Sequence, residues 1–349
     1  MVRKTRIKDI AAMSGVSVGT VDRVLHGRGK VSKDTLEAVE AVLKKVDYQP
    51  NIHVSAISLK KSFKIIVTTP IAAKGEYWYY IQSGILSALD KYSDIKIDCK
   101  YFYYDQYDIF SCRNAFSKII SEKPDAVIIG PTFSDVSLAL CNDLMDNDIP
   151  YVFVDSIIEG ALPFSAFATD PSSCGRLCAR LIDAITPRNS DLAVFQAIRI
   201  GDESANNTIW RKNGFICYIE KLNQNRKIYK IPFSVNNHDL NNKSVNDFFA
   251  CHGNVRGVVT FNSHGHIIAD CLRENGLNDI KLVCFDLTNQ NRKYLDDGKI
   301  DFILSQRPEN QGYEAISSII NFLVCKKRPE TVINYMPIDI LTRENMNYF

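Results

Sequence analysis

From Phe63 onward, short runs of Ile, Val and Phe alternate with stretches in which apolar residues recur every three or four positions. The runs predict strands over Lys64–Thr69, Ile95–Tyr103, Ala126–Ile129, Tyr151–Asp155, Leu192–Gln196, Gly257–Phe261, Lys281–Asp286 and Phe302–Ser305. The amphipathic stretches predict helices over Trp78–Lys91, Ser111–Ser121, Asp135–Asn147, Ser172–Ile185, Trp210–Lys221, His264–Asn275 and Gln311–Val324. Strands alternating with helices imply an α/β fold of parallel sheets covered on both faces. Residues 62–349 are more than one such sheet ordinarily needs, so two lobes are expected.

Residues 7–25 carry a different pattern. Ile7, Ile10 and Ala11 share one helical face, Gly15 supplies a position for a tight turn, and Val16 follows as a plug for a small core. Ser17 is placed to cap a second helix with Val21 and Val24 inward. That leaves Val18, Gly19, Asp22 and Arg23 facing outward near the helix start, the end that meets base edges in helix-turn-helix proteins. A third helix over Lys33–Val46, capped by Ser32, turns Leu36, Val39 and Leu43 inward. The intervening His26-Gly27-Arg28-Gly29-Lys30 lacks the spacing and the preceding strand of a phosphate loop, and is expected to lay its basic side chains on DNA phosphates. Residues 49–62 read as a short linker.

Charge sharpens this division. Residues 1–61 hold twelve Lys and Arg against six Asp and Glu, while the whole chain is only +2. A basic head on a slightly acidic body suits a polyanionic partner. Ten cysteines are scattered without a CxxC pair, many in apolar runs, which reads as free buried thiols in a reducing compartment. No apolar stretch approaches a membrane span, and the basic N-terminus lacks the apolar segment of a signal peptide, so the cytoplasm is the expected address.

The head also carries a specific resemblance. Ile7-Lys8-Asp9-Ile10-Ala11, then Gly15-Val16-Ser17, Thr20-Val21, Arg23-Val24-Leu25 and Gly27, then Val31-Ser32 with Thr35, then Tyr48-Gln49-Pro50-Asn51, resemble the lactose-repressor (LacI/GalR) family, ordered and nearly gapless over residues 5–51. The resemblance implies a helix-turn-helix domain at 1–48 that contacts bases through Val18, Gly19 and Arg23, with Arg23 the candidate for guanine. Thr5, Ser17, Thr20 and Lys30 are the candidates for phosphate, and Arg28 and Asn51 complete the expected DNA-contact set. Asp22 departs from the commoner Ser, and Gly19 is a poor helix former; both bear on which operator is read. Residues 49–61 would form a hinge helix when two protomers sit on DNA, with Ile57 at the position of the leucine that wedges into the minor groove and Ser55 in place of a frequent Arg.

For residues 62–349 the family implies a periplasmic-binding-protein fold, two doubly wound lobes joined by crossing strands, divided as about 62–169 plus 304–330 and about 170–303 plus 331–349. Open α/β sheets bind ligands at the carboxyl ends of their strands. Tyr77-Trp78 follow the first strand, where the similar ribose-binding type carries an aromatic pair; aromatic rings cover the flat faces of sugars. Phe133 in Pro131-Thr132-Phe133 and Asp155 follow the third and fourth strands. In the second lobe, Arg211-x-x-Gly214-Phe215, Phe261-Asn262, Phe285-Asp286 and Gln306-x-Pro308-x-x-Gln311-Gly312 resemble the sugar-binding type. There Asp286 would accept from hydroxyls, Arg211 donate in a fixed fork, and Asn262 and Gln306 do both.

Catalytic and metal chemistry finds no support. Cys174 and Cys178 share a helix face with apolar neighbours, His264 and His266 are two apart and would diverge on a helix, and Asp98, Asp105 and Asp108 are too spread for paired carboxylates. No His-Glu-x-x-His, Gly-x-Ser-x-Gly or Walker motif occurs. The expectation is a regulator without catalytic residues, cofactor or metal, acting as a homodimer on a near-palindromic DNA operator and responding to a small effector of carbohydrate type, with no membrane partner. A nucleobase or sugar-phosphate effector, an activating role, and a sugar-binding protein without a DNA function are the alternatives. The last residues, to Phe349, show no leucine heptads, which favours a dimer over a tetramer.

Overall fold

A computed structural model of the chain describes residues 5–25, 29, 31–46, 61–201, 206–222 and 225–349. Of the expected DNA-contact set, Arg28, Lys30, Asn51 and Ile57 lie outside the described residues, as does the hinge segment 49–60.

The head is three helices, α1 (Ile7–Ser14), α2 (Val18–Leu25) and α3 (Lys33–Lys45). Gly15 ends α1 with φ +67°, a left-handed position that costs a residue with Cβ more than glycine. Ser17 Oγ accepts from Thr20 N at 3.1 Å and Ser32 Oγ from Thr35 N at 3.4 Å, so each serine answers an unpaired amide in the first turn of its helix. Ile10, Ala11, Val21 and Val39 form the buried centre, with Val16, Val24, Val42 and Leu43 packed around it. Leu36 was expected inside and is exposed instead. A centre of four side chains does not reach the first turn of α3, and Val42 occupies the stripe one turn further on.

The body holds two six-stranded sheets. In chain order its elements are β1 (Phe63–Pro70), α4 (Tyr77–Lys91), β2 (Ile97–Tyr104), α5 (Ile109–Phe116), β3 (Ala126–Ile129), α6 (Ser134–Asp146), β4 (Tyr151–Asp155), β5 (Ser165–Ala168), α7 (Pro171–Ile185), β6 (Asp191–Ala197), α8 (Asn206–Lys221), β7 (Ile228–Phe233), α9 (His238–Cys251), β8 (Val255–Thr260), α10 (Gly265–Glu274), β9 (Lys281–Phe285), α11 (Asn289–Asp296), β10 (Phe302–Ser305), α12 (Pro308–Cys325), β11 (Ile333–Tyr335) and β12 (Asp339–Leu341). The first sheet has the order β11-β5-β4-β3-β1-β2 and is parallel throughout. The second has the order β12-β10-β9-β8-β6-β7, with β12 alone antiparallel to its neighbour.

Strand periodicity explains the layering. Ile65 and Val67 of β1 pack with Ile81 and Ile85 of α4 and Ile316 of α12, while Ile66 between them faces the opposite side with Phe116 of α5 and Leu140 of α6. The second sheet repeats the scheme: Ala193 and Phe195 face α9 and α10, Leu192 and Val194 face α7 and α8. Each lobe also contains one helix pair at very close approach. A Cβ on Gly84 would meet Glu309 O at 1.9 Å and one on Gly312 would meet Ile81 O at 2.0 Å, binding α4 to α12. Gly175 and Gly214 do the same for α7 and α8, against Arg211 O at 1.9 Å and Ser172 O at 2.1 Å.

The chain passes between the sheets three times: after β5, after β10 and between β11 and β12. The latter two differ from the expected division. Leu304 and Ser305 lie in β10 of the second sheet, paired with Phe285 and Asp339, whereas residues 333–335 pair with Ala166–Ala168 of the first. Ile333–Tyr335 is short and largely exposed, so it carries no buried-strand signal, and only pairing with β5 assigns it. Strands β5, β7 and β12 and helices α9 and α11 were also not predicted. β7 contains Pro232, which lacks a ladder donor and is tolerated here because β7 is an edge strand. α11, Asn-Gln-Asn-Arg-Lys-Tyr-Leu-Asp, buries only Asn291 and Leu295 and so has no apolar stripe.

Candidate functional site

On the head, Val18, Gly19 and Arg23 stand exposed along one side of α2. Arg23 folds back on its own helix, Nε donating to Gly19 O at 3.2 Å and Nη2 to Thr20 Oγ1 at 3.3 Å. The Ser17 and Thr20 hydroxyls bond each other at 2.9 Å beside the helix start. Thr5 lies half-buried just before α1. The Ser17 and Thr20 hydroxyls thus lie at the N-terminus of α2, an end that favours anions, while Arg23 stands in its last turn.

The body's candidate residues gather at one place. The carboxyl ends of β1, β3, β4, β6, β8, β9 and β10 point to a cleft between the lobes with a space of about 700 Å³, measured out to its open side. Tyr77, Trp78, Asp155, Arg211, Asn262, Asp286 and Gln306 all line it. Phe133 does not. It is fully buried below the wall, where its ring supports the Arg199 guanidinium at 4.1 Å, and Thr132 takes the lining position. Phe133 sits immediately before α6 and belongs to the apolar layer under that helix.

Two aspartates, one from each sheet, occupy equivalent positions. Asp155 ends β4 at φ +69° and Asp286 follows β9 at φ +66°. Asp155 Oδ1 accepts from Tyr77 Oη at 2.8 Å, and Oδ2 accepts from Ser156 Oγ and Asn207 Nδ2, both at 3.0 Å. Asp286 Oδ1 accepts from Gln306 Nε2 at 2.8 Å. Gln306 Oε1 in turn accepts from Thr169 Oγ1 at 2.9 Å and Arg211 Nη2 at 2.6 Å. Arg211 Nη1 donates to Phe261 O at 2.8 Å and its guanidinium lies 4.3 Å from the Phe285 ring centre. Arg211 Nε is buried and has no hydrogen-bond partner. Asn262 Oδ1 accepts from His264 N at 3.0 Å, which leaves the amide nitrogen for other partners.

Burial dominates the electrostatics. It pushes the Asp286 carboxyl up to about 7, against the pull of Arg211, and raises Asp155 in the same way. Burial and the nearby carboxylates raise the Tyr77 hydroxyl well above its ordinary value, so it stays a donor. A wall of hydrogen-bond donors, carboxyl acceptors and aromatic faces is suited to hydroxyl groups.

Several cleft residues were not singled out from sequence: Gln106, Tyr107, Ser156, Arg199 and Asn207 among them. Asn207 precedes Arg211 by four on α8, a spacing that would have placed both on one face. Arg199 lies beyond the end of β6 in a loop, and no periodicity marks it. His264 and His266 also differ from expectation. His264 lies before the first turn of α10 and is not helical, and the two rings come within 5.8 Å. Among the described residues, His238, Asp270 and Glu274 on the outside of the second lobe bring three metal-capable atoms together. They already lie against one another, His238 Nε2 3.4 Å from Asp270 and 3.3 Å from Glu274, and Arg273 pairs with Asp270. None of the ten cysteines is in a disulfide, and six of them are buried.

Residues 65–327 match the family described as periplasmic binding protein domain, and residues 6–51 match bacterial regulatory proteins, lacI family. The structure of a protein from Bacteroides fragilis assigned as a LacI transcriptional regulator is 30% identical, with a TM-score of 0.78 over 83% of this chain and 100% of that one. The chain belongs to the LacI family. Curated relatives include the HTH-type transcriptional regulator DegA of Bacillus subtilis, 27% identical over 43% of this chain and 44% of its own length. The sucrose operon repressor of Klebsiella pneumoniae is 28% identical over 54% of each. The chain thus spans about half the length of the curated relatives it matches. These relatives of the LacI-family chain are regulators rather than enzymes. Among its described residues no helix is long and apolar enough to cross a membrane.

Proposed function

We propose that this LacI-family chain is a DNA-binding transcription regulator, acting as a repressor, whose hold on its operator is set by a sugar bound between the two lobes. One observation carries the reading: a head matching the lacI family is joined in the same chain to a cleft lined by buried polar groups, Asp155, Arg211, Asp286 and Gln306, of the types that suit hydroxyls. Thr5, Ser17, Val18, Gly19, Thr20 and Arg23 meet DNA, and Arg28, Lys30, Asn51 and Ile57 extend that contact. Tyr77, Trp78, Asn262 and the four polar groups above meet the effector. Two copies bind a near-palindromic site, in the cytoplasm, and a ligand that closes the lobes differently from the DNA-bound form shifts operator affinity by the same factor by which DNA shifts ligand affinity.

The test begins with selection of duplexes from a random-sequence pool by the purified chain, followed by anisotropy titration of the selected duplex. The expected result is a two-fold symmetric site, bound as a dimer and weakened by a sugar from a panel that also stabilises the protein to heat. At about 100 times its dissociation constant such a sugar adds about 2.7 kcal/mol. A chain that selects no sequence, or whose DNA affinity no stabilising sugar changes, would falsify the proposal.

A further inference from the structure

The space between the lobes does not end at Trp78. A second chamber, about 1380 Å³ measured out to its open side, shares Tyr77, Trp78, Gln106, Tyr107 and Ser263 with the inner cleft. The Trp78 indole forms a wall of both: its edge is so close to Gly130 that a Cβ there would meet it at 2.5 Å, and its Nε1 donates to Gln106 Oε1 at 3.1 Å. The outer chamber lies between the lobes and is not a surface dent. The first lobe contributes the 71–76 loop, the second contributes His264, His266 and Asn236, and the lobes meet beside it where Asn289 N donates to Gly75 O at 2.9 Å. Gly75 has φ +92°, and a Cβ on it would meet Asn289 Nδ2 at 2.1 Å, so this meeting point requires glycine.

Like the inner cleft, the chamber combines aromatic faces with polar groups. Trp78 and the Tyr107 ring, 5.8 Å from His264, supply flat apolar faces. His264 Nε2 is buried with no hydrogen-bond partner, and burial together with the neighbouring His266 holds its imidazole at about 4, so at neutral pH it presents one donor and one acceptor and no charge. Two exposed carboxylates stand at the chamber's rim beside Lys74, Glu76 accepting from Ala73 N and Asp105 from Tyr107 N, each at 2.8 Å. Aromatic faces with an uncharged, unpartnered hydrogen-bonding group suit a ring bearing hydroxyls rather than an anion.

We propose that the effector is a disaccharide, with one ring in the inner cleft among Asp155, Arg211 and Asp286 and the second in the outer chamber against Trp78, Tyr107 and His264. This rests on the sugar-sensor reading above and narrows it from one ring to two.

Calorimetric titration of the full chain with maltose, cellobiose, lactose, sucrose and melibiose, beside glucose, galactose and fructose, tests it. The expected result is a disaccharide that binds at least about tenfold more tightly than either of its component sugars. His264→Ala and Asn236→Ala, the second on an exposed loop where folding is not at stake, should each erode that margin and leave monosaccharide binding as it was. Monosaccharides that bind as tightly as any disaccharide, or a margin that neither variant changes, overturns the two-chamber proposal and leaves the sensor reading standing. Absence of binding by sugars of either size overturns both.

Discussion

Asn207 of the second lobe holds Asp155 of the first with two hydrogen bonds from one amide group, to the carboxylate at 3.0 Å and to the backbone carbonyl at 3.1 Å. It does so inside the cleft between the lobes, with both residues buried. The two lobes are therefore tied to each other at the floor of the site as well as at the crossing strands. Removing the amide leaves a buried carboxyl group and a buried carbonyl short of a donor, which costs about 1–3 kcal/mol. Asn207→Ala is expected to lower the melting temperature of the body and to increase the radius of gyration in small-angle scattering, as the lobes part. Scattering curves that superimpose on the parent would show that the crossing strands alone set the lobe angle.

The pH dependence of stability follows from the two buried aspartates. In the unfolded chain their carboxyls titrate near about 3.9. In the folded protein Asp286 titrates at about 7, and Asp155 is raised in the same direction. The folded state thus binds protons more tightly than the unfolded one. Stability from these groups is present below pH 4 and is lost as the pH rises through about 7. Calorimetry of the body transition in steps from pH 4 to 8 should show this decline on top of other contributions. Asp286→Asn, which cannot ionise, should flatten it; a slope identical to the parent's would mean that Asp286 is solvated enough to titrate normally.

Arg23 is exposed and bonded only to its own helix in the described structure, so its replacement disturbs no packing. Arg23→Ala is expected to weaken specific DNA binding by about 1–3 kcal/mol, the range of a good base contact, and to relax the sequence preference at one position of each half-site. Sugar binding and the melting temperature of the body should not change. If binding weakens equally on every duplex tested, Arg23 meets phosphate and reads no base.

The Gly175–Arg211 contact connects packing to the site. A Cβ on residue 175 would lie 1.9 Å from Arg211 O, so α8 must move away from α7 to admit it. Overpacking of this kind costs about 1–3 kcal/mol. Because Arg211 is the residue displaced, Gly175→Ala should lower sugar affinity as well as stability. Gly84→Ala, which opens the corresponding helix pair of the first lobe against Glu309, should lower stability with a smaller effect on affinity. Titration and melting of the two variants side by side separate these outcomes.

The sequence by itself determined the elements whose signal is local. Ala126–Ile129, Tyr151–Asp155 and Phe302–Ser305 are runs buried on both faces, and such strands read as unbroken apolar segments whatever they pair with. Gly15, Ser17 and Ser32 act within one turn of their own helices, so their roles were legible too. The cleft lining was legible at Asp155, Asp286 and Gln306, where a polar residue ends such a strand, but not at Gln196, which stands in the same way at the end of β6.

Tertiary structure decided the rest. Ile333–Tyr335 joins the first sheet only because Ala166–Ala168 presents a free edge to it. α11 is held by what Asn291 reaches, its Nδ2 donating to the Phe285 and Asp286 carbonyls at 3.0 and 2.9 Å, and by no apolar stripe of its own. Thr132 rather than Phe133 lines the cleft because adjacent residues of a loop point in directions that only the neighbouring helix sets. Asn207 and Arg199 entered the site because the lobes close on each other, and the distance between two lobes is a property of neither one's sequence pattern. Periodicity reports which side of an element is buried; which two elements meet depends on contacts between residues far apart in the chain.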